Sequence, residues 1–152
     1  MKKRRLPYFA QKTEYNCGPA SMRMALASLG THRSEADLVK QLKTTSENGT
    51  LFKDMIAFVK KLKFSHKTGQ NCNFYQLNAL LKEGWQVILC YRLLREKSDH
   101  FAVVRKISNG RIYLSDPGFG KNHSFSLGHF RIIWKTMDQP DISNKWYLAF
   151  RP

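Results

Sequence analysis

Gln11-Lys12-Thr13-Glu14-Tyr15-Asn16-Cys17-Gly18-Pro19-Ala20 leads directly into Met22, Met24, Leu26, Ala27 and Leu29, an apolar periodic stretch that Gly30 ends. The spacing predicts a largely buried helix beginning at Cys17. A thiol therefore falls at a helix N-terminus, where unpaired backbone N–H groups and the positive end of the macrodipole favour thiolate over thiol. Two partners for such a thiolate lie far downstream. His100 heads the apolar run His100-Phe101-Ala102-Val103-Val104, and Asp116 ends the strand-like Arg111-Ile112-Tyr113-Leu114-Ser115-Asp116. This set implies the chemistry of a cysteine hydrolase.

Around this core the chain divides in two. Residues 1 to 16 read as an extended entry that Pro7, Tyr8 and Phe9 pin to the body. Ser34-Glu35-Ala36-Asp37 resembles a capping box opening a short helix through Leu42, and Thr44 to Gly49 reads as a polar loop. Thr50 is expected to cap a third helix carrying Phe52, Met55, Ile56, Val59 and Leu62, and a fourth helix is expected from Asn73 to a stop at Gly84. Beyond Gly84 the pattern turns β-rich: Trp85 to Tyr91, Phe101 to Ile107, Arg111 to Ser115 and Trp146 to Phe150, with Asn109-Gly110 as a hairpin turn. A short helix from Leu127 to Trp134 interrupts them. Helices first and antiparallel strands second make an α+β arrangement, with Cys17 on the helical half, His100 and Asp116 on the sheet half, and a cleft between.

The 152 residues fit one domain, taken as 1–152, large enough for a real core. No apolar run reaches membrane-spanning length, and Met1-Lys2-Lys3-Arg4-Arg5 is not followed by a signal peptide's apolar core, so a cytoplasmic protein is expected. Three cysteines, an odd number without metal-ligand spacing, argue against both a disulfide framework and zinc. Cys72 and Cys90 read as buried, inert thiols. The histidines at 32, 66, 123 and 129 lack a partner at metal spacing and read as solvated; His123 and His129 follow the Asp116 turn as loop residues. The net charge of +15 invites a nucleic-acid reading, but the basic residues are scattered and no nucleic-acid-binding motif organises them. Steering of an acidic peptide or protein partner accounts for the charge with fewer assumptions.

Each role of a thiol hydrolase has a candidate. Cys17 is the nucleophile and its backbone N–H one oxyanion donor; the Gln11 side-chain amide is the other. His100 is the base, and Asp116 accepts the remaining ring N–H and fixes the tautomer. Taken singly, a buried cysteine, a histidine or an Asp-Pro-Gly turn is ordinary structure. Their joint occurrence in matching contexts carries the reading.

Gln11 to Cys17-Gly18-Pro19-Ala20, then His100-Phe101-Ala102-Val103-Val104, then Asp116-Pro117-Gly118-Phe119-Gly120 resembles the motif set of the C39 peptidases and C39-like domains. The similarity runs from about Leu6 to Trp134 and includes the Gly49-Thr50-Leu51 start of the third helix. The resemblance implies a papain-like cysteine protease fold, needing no metal or cofactor, with Gln11, Cys17, His100 and Asp116 in the roles just given. The members best known for their substrate are N-terminal domains of bacterial exporters, which cleave leader peptides after two glycines. No transporter segment follows residue 152, and Cys17-Gly18-Pro19-Ala20 resembles the free-standing variant. The leading expectation is a cysteine peptidase. Two alternatives are a papain-like deamidase or acyl transferase using the same triad, and a catalytically silent module that holds a peptide.

Overall fold

The computed structural model describes residues 5–152; the basic start at residues 1–4 lies outside the described residues. Helix α1 spans Cys17–Ser28, α2 Glu35–Gln41 and α3 Phe52–Lys61; β1, Ser65–Gly69, and α4, Phe74–Lys82, follow. Strands β2 (Gln86–Leu93), β3 (Ser98–Ser108), β4 (Arg111–Asp116) and β5 (Gly120–Ser126) come next, then α5 (Leu127–Ile133). A short pair, β6 (Lys135–Thr136) and β7 (Ser143–Asn144), precedes β8 (Tyr147–Arg151). The six-stranded sheet has the order β1-β8-β2-β3-β4-β5, antiparallel throughout.

Local chemistry explains the ends of most elements. Gly30 takes the left-handed φ of +87° that closes the chain after α1, and Asn109 and Gly110, at +52° and +73°, make the β3–β4 turn. Asn73 and Gln76 form a reciprocal capping box at α4. Two expected caps differ. At α2, Ser34 accepts from the Asp37 N–H, but the Asp37 side chain turns to Arg33 instead of closing the box. At α3, Leu51 stands at the cap position; the Phe52 N–H is taken by Asp141, 89 positions away in sequence, at 2.8 Å, while the Thr50 hydroxyl shares a buried hydrogen bond with Thr44. No local reading finds a cap supplied from so far along the chain.

Alternation along the central strands sends side chains to two cores. Ile88, Cys90, Phe101, Val103, Leu148 and Phe150 pack with α1, α2 and α3. Val87, Leu89, Tyr91, Ala102, Val104, Ile112 and Leu114 pack with α4 and α5, around Phe130 and Trp134. Helices thus cover both faces: of the four helices of the expected helical half, α1, α2 and α3 cover one face, while α4 joins α5 on the other. Strands β1 and β5, absent from the sequence reading, are the two edges of the sheet. Their residues are mostly polar and exposed or half-buried, so they lack the apolar alternation by which inner strands announce themselves.

Candidate active site

Cys17 opens α1 and is 8% exposed. The cap residue Asn16 makes no side-chain bond to the helix, so no side chain competes for the first-turn N–H groups. The Asn16 amide donates instead to Glu35 at 3.1 Å. Gly18 is required by close approach: a Cβ there would lie 2.4 Å from the Thr50 hydroxyl oxygen and 2.7 Å from the Thr50 Cβ. The start of α1 is therefore held against the segment leading into α3.

His100 and Tyr91 are cross-strand partners in β3 and β2, and Ser115 of β4 pairs with Val103, which brings Asp116 round toward the histidine. His100 Nε2 meets Asp116 Oδ1 at 2.5 Å, and Cys17 borders the same cleft as the ring. Asp116 is fully buried. Its Oδ1 also accepts from the Gly118 N–H at 3.0 Å, and its Oδ2 accepts from the Tyr91 hydroxyl at 2.5 Å. The Tyr8 hydroxyl donates to the Asp116 carbonyl at 3.0 Å, tying the N-terminal segment to the same point. Tyr8 thus pins the entry segment to the body as expected, whereas Tyr91 is a support with no announcement in the sequence; a tyrosine in an apolar strand carries no local sign of its partner.

Burial alone lowers the affinity of His100 for a proton. Its hydrogen bond to Asp116, the nearness of Cys17 and the charges of both partners more than offset this, and the pKa is held up at about 10. Burial, and then the Asp116 charge, push the Tyr91 hydroxyl well up, so it remains a donor. Cys72 is raised to about 11 and Cys90 well above its ordinary value, each mainly by burial. Neither is a ready nucleophile. His123 is not a loop residue: it lies in β5, half-buried, stacked on Phe119 with ring centroids 5.0 Å apart, and burial lowers its pKa. Phe119 in turn meets the His100 ring edge-on at 5.5 Å. His129 lies in α5, where its N–H donates to the cap residue Ser126.

Gln11 reaches the site from the entry segment, its N–H donating to the Pro117 carbonyl at 2.9 Å. Its side-chain amide donates to the carbonyls of Thr13, at 2.8 Å, and Glu14, at 3.2 Å. The Gln11 donors are thus turned onto their own loop, and the bond to Glu14, longer and solvent-exposed, is the weaker of the two. The side-chain oxygen is buried without a partner.

Cys17, His100 and Phe101 line a cleft of about 540 Å³ with Phe52, Thr50 and Met137. Glu14, Glu47, Asp99, Asp138 and Asp141 stand around it, and among the described residues no lysine or arginine lines it. Asp99 and Asp138 are paired with Arg92 at 2.9 and 3.1 Å, so the lining is acidic in composition but partly neutralised from behind. A second depression of about 440 Å³ between the entry segment and the sheet carries Arg5, Arg105 and Lys121. Among the described residues no three His, Cys, Asp or Glu side chains gather as a metal site. No helix among them is long and apolar enough to cross a membrane.

Helices packed on an antiparallel sheet, with a cysteine opening the helix that faces a strand-borne histidine, define a papain-like fold. The profile of the Peptidase C39 family matches residues 5–138, and the chain belongs to that family. The peptidase domain of Streptococcus ComA, a bifunctional ABC transporter involved in a quorum-sensing pathway, superposes with a TM-score of 0.78 at 20% identity, covering 97% of this chain and 99% of that one. A double-glycine-motif protease from an AMS/PCAT transporter, in complex with its leader peptide, gives 0.73 at 19% identity, covering 99% and 94%. A protein of Bacillus anthracis described as a C39-like peptidase gives 0.74 at 13% identity, covering 97% and 94%. An uncharacterised protein of Methanothermobacter marburgensis is 26% identical over 113 residues, 73% of this chain and 71% of the relative.

Gly118 supplies a test of this geometry. A Cβ there would stand 3.0 Å from His100 Cε1 and 3.3 Å from Nε2. Gly118→Ala should push the imidazole off its line to Asp116, with an expected fall in kcat of about tenfold to a hundredfold for a displacement of some tenths of an ångström. An unchanged kcat would mean that the ring is free to give way.

Proposed function

We propose that the chain is a cysteine peptidase acting through Cys17, His100 and Asp116, with the Cys17 N–H and the Gln11 amide as oxyanion donors. The observation that carries this reading is the buried His100–Asp116 pair facing the same cleft as Cys17 at the start of α1; the His100 pKa, held up at about 10, supports it. In the proposed reaction the Cys17 sulfur attacks the scissile carbonyl carbon, and the carbonyl electron pair moves to oxygen. The oxyanion meets the Cys17 N–H and takes the place of the Glu14 carbonyl on the Gln11 amide. Collapse breaks the C–N bond, and the leaving amine takes the proton from His100. Acylation removes the Cys17 charge, one of the causes that raise the His100 pKa. The imidazole, now neutral and with its pKa brought down toward neutrality, can act as the base: it takes a proton from water as the water oxygen attacks the thioester, and the thiolate leaves.

What supports a peptide substrate is family membership together with the fold's likeness to a domain solved with a leader peptide bound. The finer reading is cleavage after a double-glycine site by a single module spanning the chain. Acidic residues in the substrate suit the basic surface away from the scissile bond, including the patch of Arg5, Arg105 and Lys121; beside the bond they meet the carboxylates of the cleft. A peptide-library digest read by mass spectrometry, with Cys17→Ala as control, tests the function. Pairs of new termini mean peptidase action, and a mass change without a break means deamidation. In the same library, peptides with remote acidic residues should show a kcat/KM that falls as salt shortens the Debye length from about 10 Å to about 3 Å, with kcat steady. Failure of kcat/KM to fall with salt would rule out steering.

A further inference from the structure

The carboxylate of Glu35 is 1% exposed, although it stands in the first turn of a short helix. Its Oε2 accepts two hydrogen bonds from a single stretch of chain: the Lys12 backbone N–H at 3.0 Å and the Asn16 side-chain amide at 3.1 Å. Its Oε1 is buried without a partner. Lys12 is the residue after Gln11, and Asn16 is the residue before Cys17. The single oxygen therefore clamps both ends of the loop whose two flanking residues are the proposed oxyanion donors. Within the clamp the loop is stitched by the Gln11 amide to Thr13 and Glu14. A charged acceptor makes hydrogen bonds roughly twice as strong as a neutral one, so the clamp is a stiff one. Burying a carboxylate is costly, and no cation is among its hydrogen-bond partners here. A first-turn acid favours the helix start whether or not it is enclosed, so the enclosure is owed to the loop it holds.

We infer that Glu35 is a positioning residue that sets the distance between the Gln11 amide and the Cys17 N–H, and so builds the oxyanion hole from a second helix. It touches neither substrate nor reacting atoms. The inference rests on the peptidase reading above. Its signature is a loss of transition-state stabilisation with the nucleophile itself intact, because His100 and Asp116 are held by the sheet and their side-chain hydrogen bonds go to one another, Tyr91 and Gly118 rather than to α2.

The test uses the full chain with two probes, iodoacetamide and the peptide aldehyde acetyl-Ala-Gly-Gly-al. Alkylation reads the Cys17–His100 pair alone. The aldehyde is attacked by Cys17 to form a tetrahedral hemithioacetal, whose oxygen needs the oxyanion donors. In Glu35→Ala the Cys17 alkylation rate should stay within about twofold of the parent. Aldehyde affinity should fall by about tenfold or more, as loss of good oxyanion donation requires. Glu35→Gln, whose amide oxygen can accept both bonds, should restore most of the affinity. Asn16→Ala, which removes only one arm of the clamp, should lie between and covers the case in which Glu35→Ala does not fold. Parent-like aldehyde affinity in folded Glu35→Ala, or in Asn16→Ala if the first is unfolded, would overturn the inference. So would equal losses of alkylation and aldehyde affinity, since these mark general disruption. A parent protein that forms no aldehyde adduct would instead overturn the peptidase reading on which the inference rests.

Discussion

Cys17→Ala should abolish turnover, by about 10⁴-fold or more, and leave the fold in place. Among the described residues, the Cys17 sulfur is the one nucleophile in the cleft that lies beside both the histidine and the free N–H groups of a helix start. Cys90 also borders the cleft, but it is more deeply buried and held in the thiol form, so it offers no replacement. The structural cost should stay within the range of about 0.5–3 kcal/mol usual for single substitutions, since the side chain shrinks at the cleft edge of the core. Circular dichroism with a thermal melt checks the fold, and a fixed-substrate assay checks the rate. The same variant separates the three cysteines: in the parent, Cys17 should be alkylated fastest near neutral pH, with Cys72 and Cys90 well behind. Residual turnover at the parental rate in Cys17→Ala would place the chemistry elsewhere.

How much of this the sequence disclosed follows from how local each signal is. The helix opened by Cys17 is legible because Gly18-Pro19, the apolar periodicity and Gly30 all lie within one stretch. The inner strands are legible because two buried faces leave runs such as Val87-Ile88-Leu89-Cys90-Tyr91. Edge strands β1 and β5 are not, since polar edges look like loops until a neighbouring strand pairs with them. In the site, Cys17, His100 and Asp116 are singled out by their residue type and context, and the structure brings them together. The groups that hold them are of another kind. Tyr91, Tyr8, Glu35 and Asp141 act through bonds spanning 19 to 108 positions, which no window of sequence contains. Glu35 is the clearest case: Ser34-Glu35-Ala36-Asp37 reads as a capping box opening a short helix, a pattern that says nothing of the enclosure of its second residue. The net charge of +15 is silent in a related way, because a sum over the chain does not show that carboxylates line the cleft.

Asp116→Asn should lower kcat by about 10²- to 10⁴-fold without displacing its neighbours. The amide can keep its oxygen toward His100 and the Gly118 N–H while its nitrogen donates to the Tyr91 oxygen, whose hydroxyl turns to accept. Geometry is thereby conserved, and the charge is what is lost. Asp116 raises the His100 pKa both through its hydrogen bond and through its charge, so in the variant that pKa should fall from about 10 toward its ordinary value near 6.5. The leaving amine then meets a weaker supply of protons at neutral pH. The consequence for stability has a definite sign: a histidine whose pKa is raised on folding contributes stability that is complete below its unfolded pKa and is lost as pH rises through its folded one. The parent should therefore lose stability between about pH 6.5 and about pH 10, and the Asn variant should lose less over that window. Thermal melts of both proteins at intervals across the window measure the difference of slopes. Parallel slopes, together with an unchanged kcat, would mean that Asp116 neither holds the proton on His100 nor orients it.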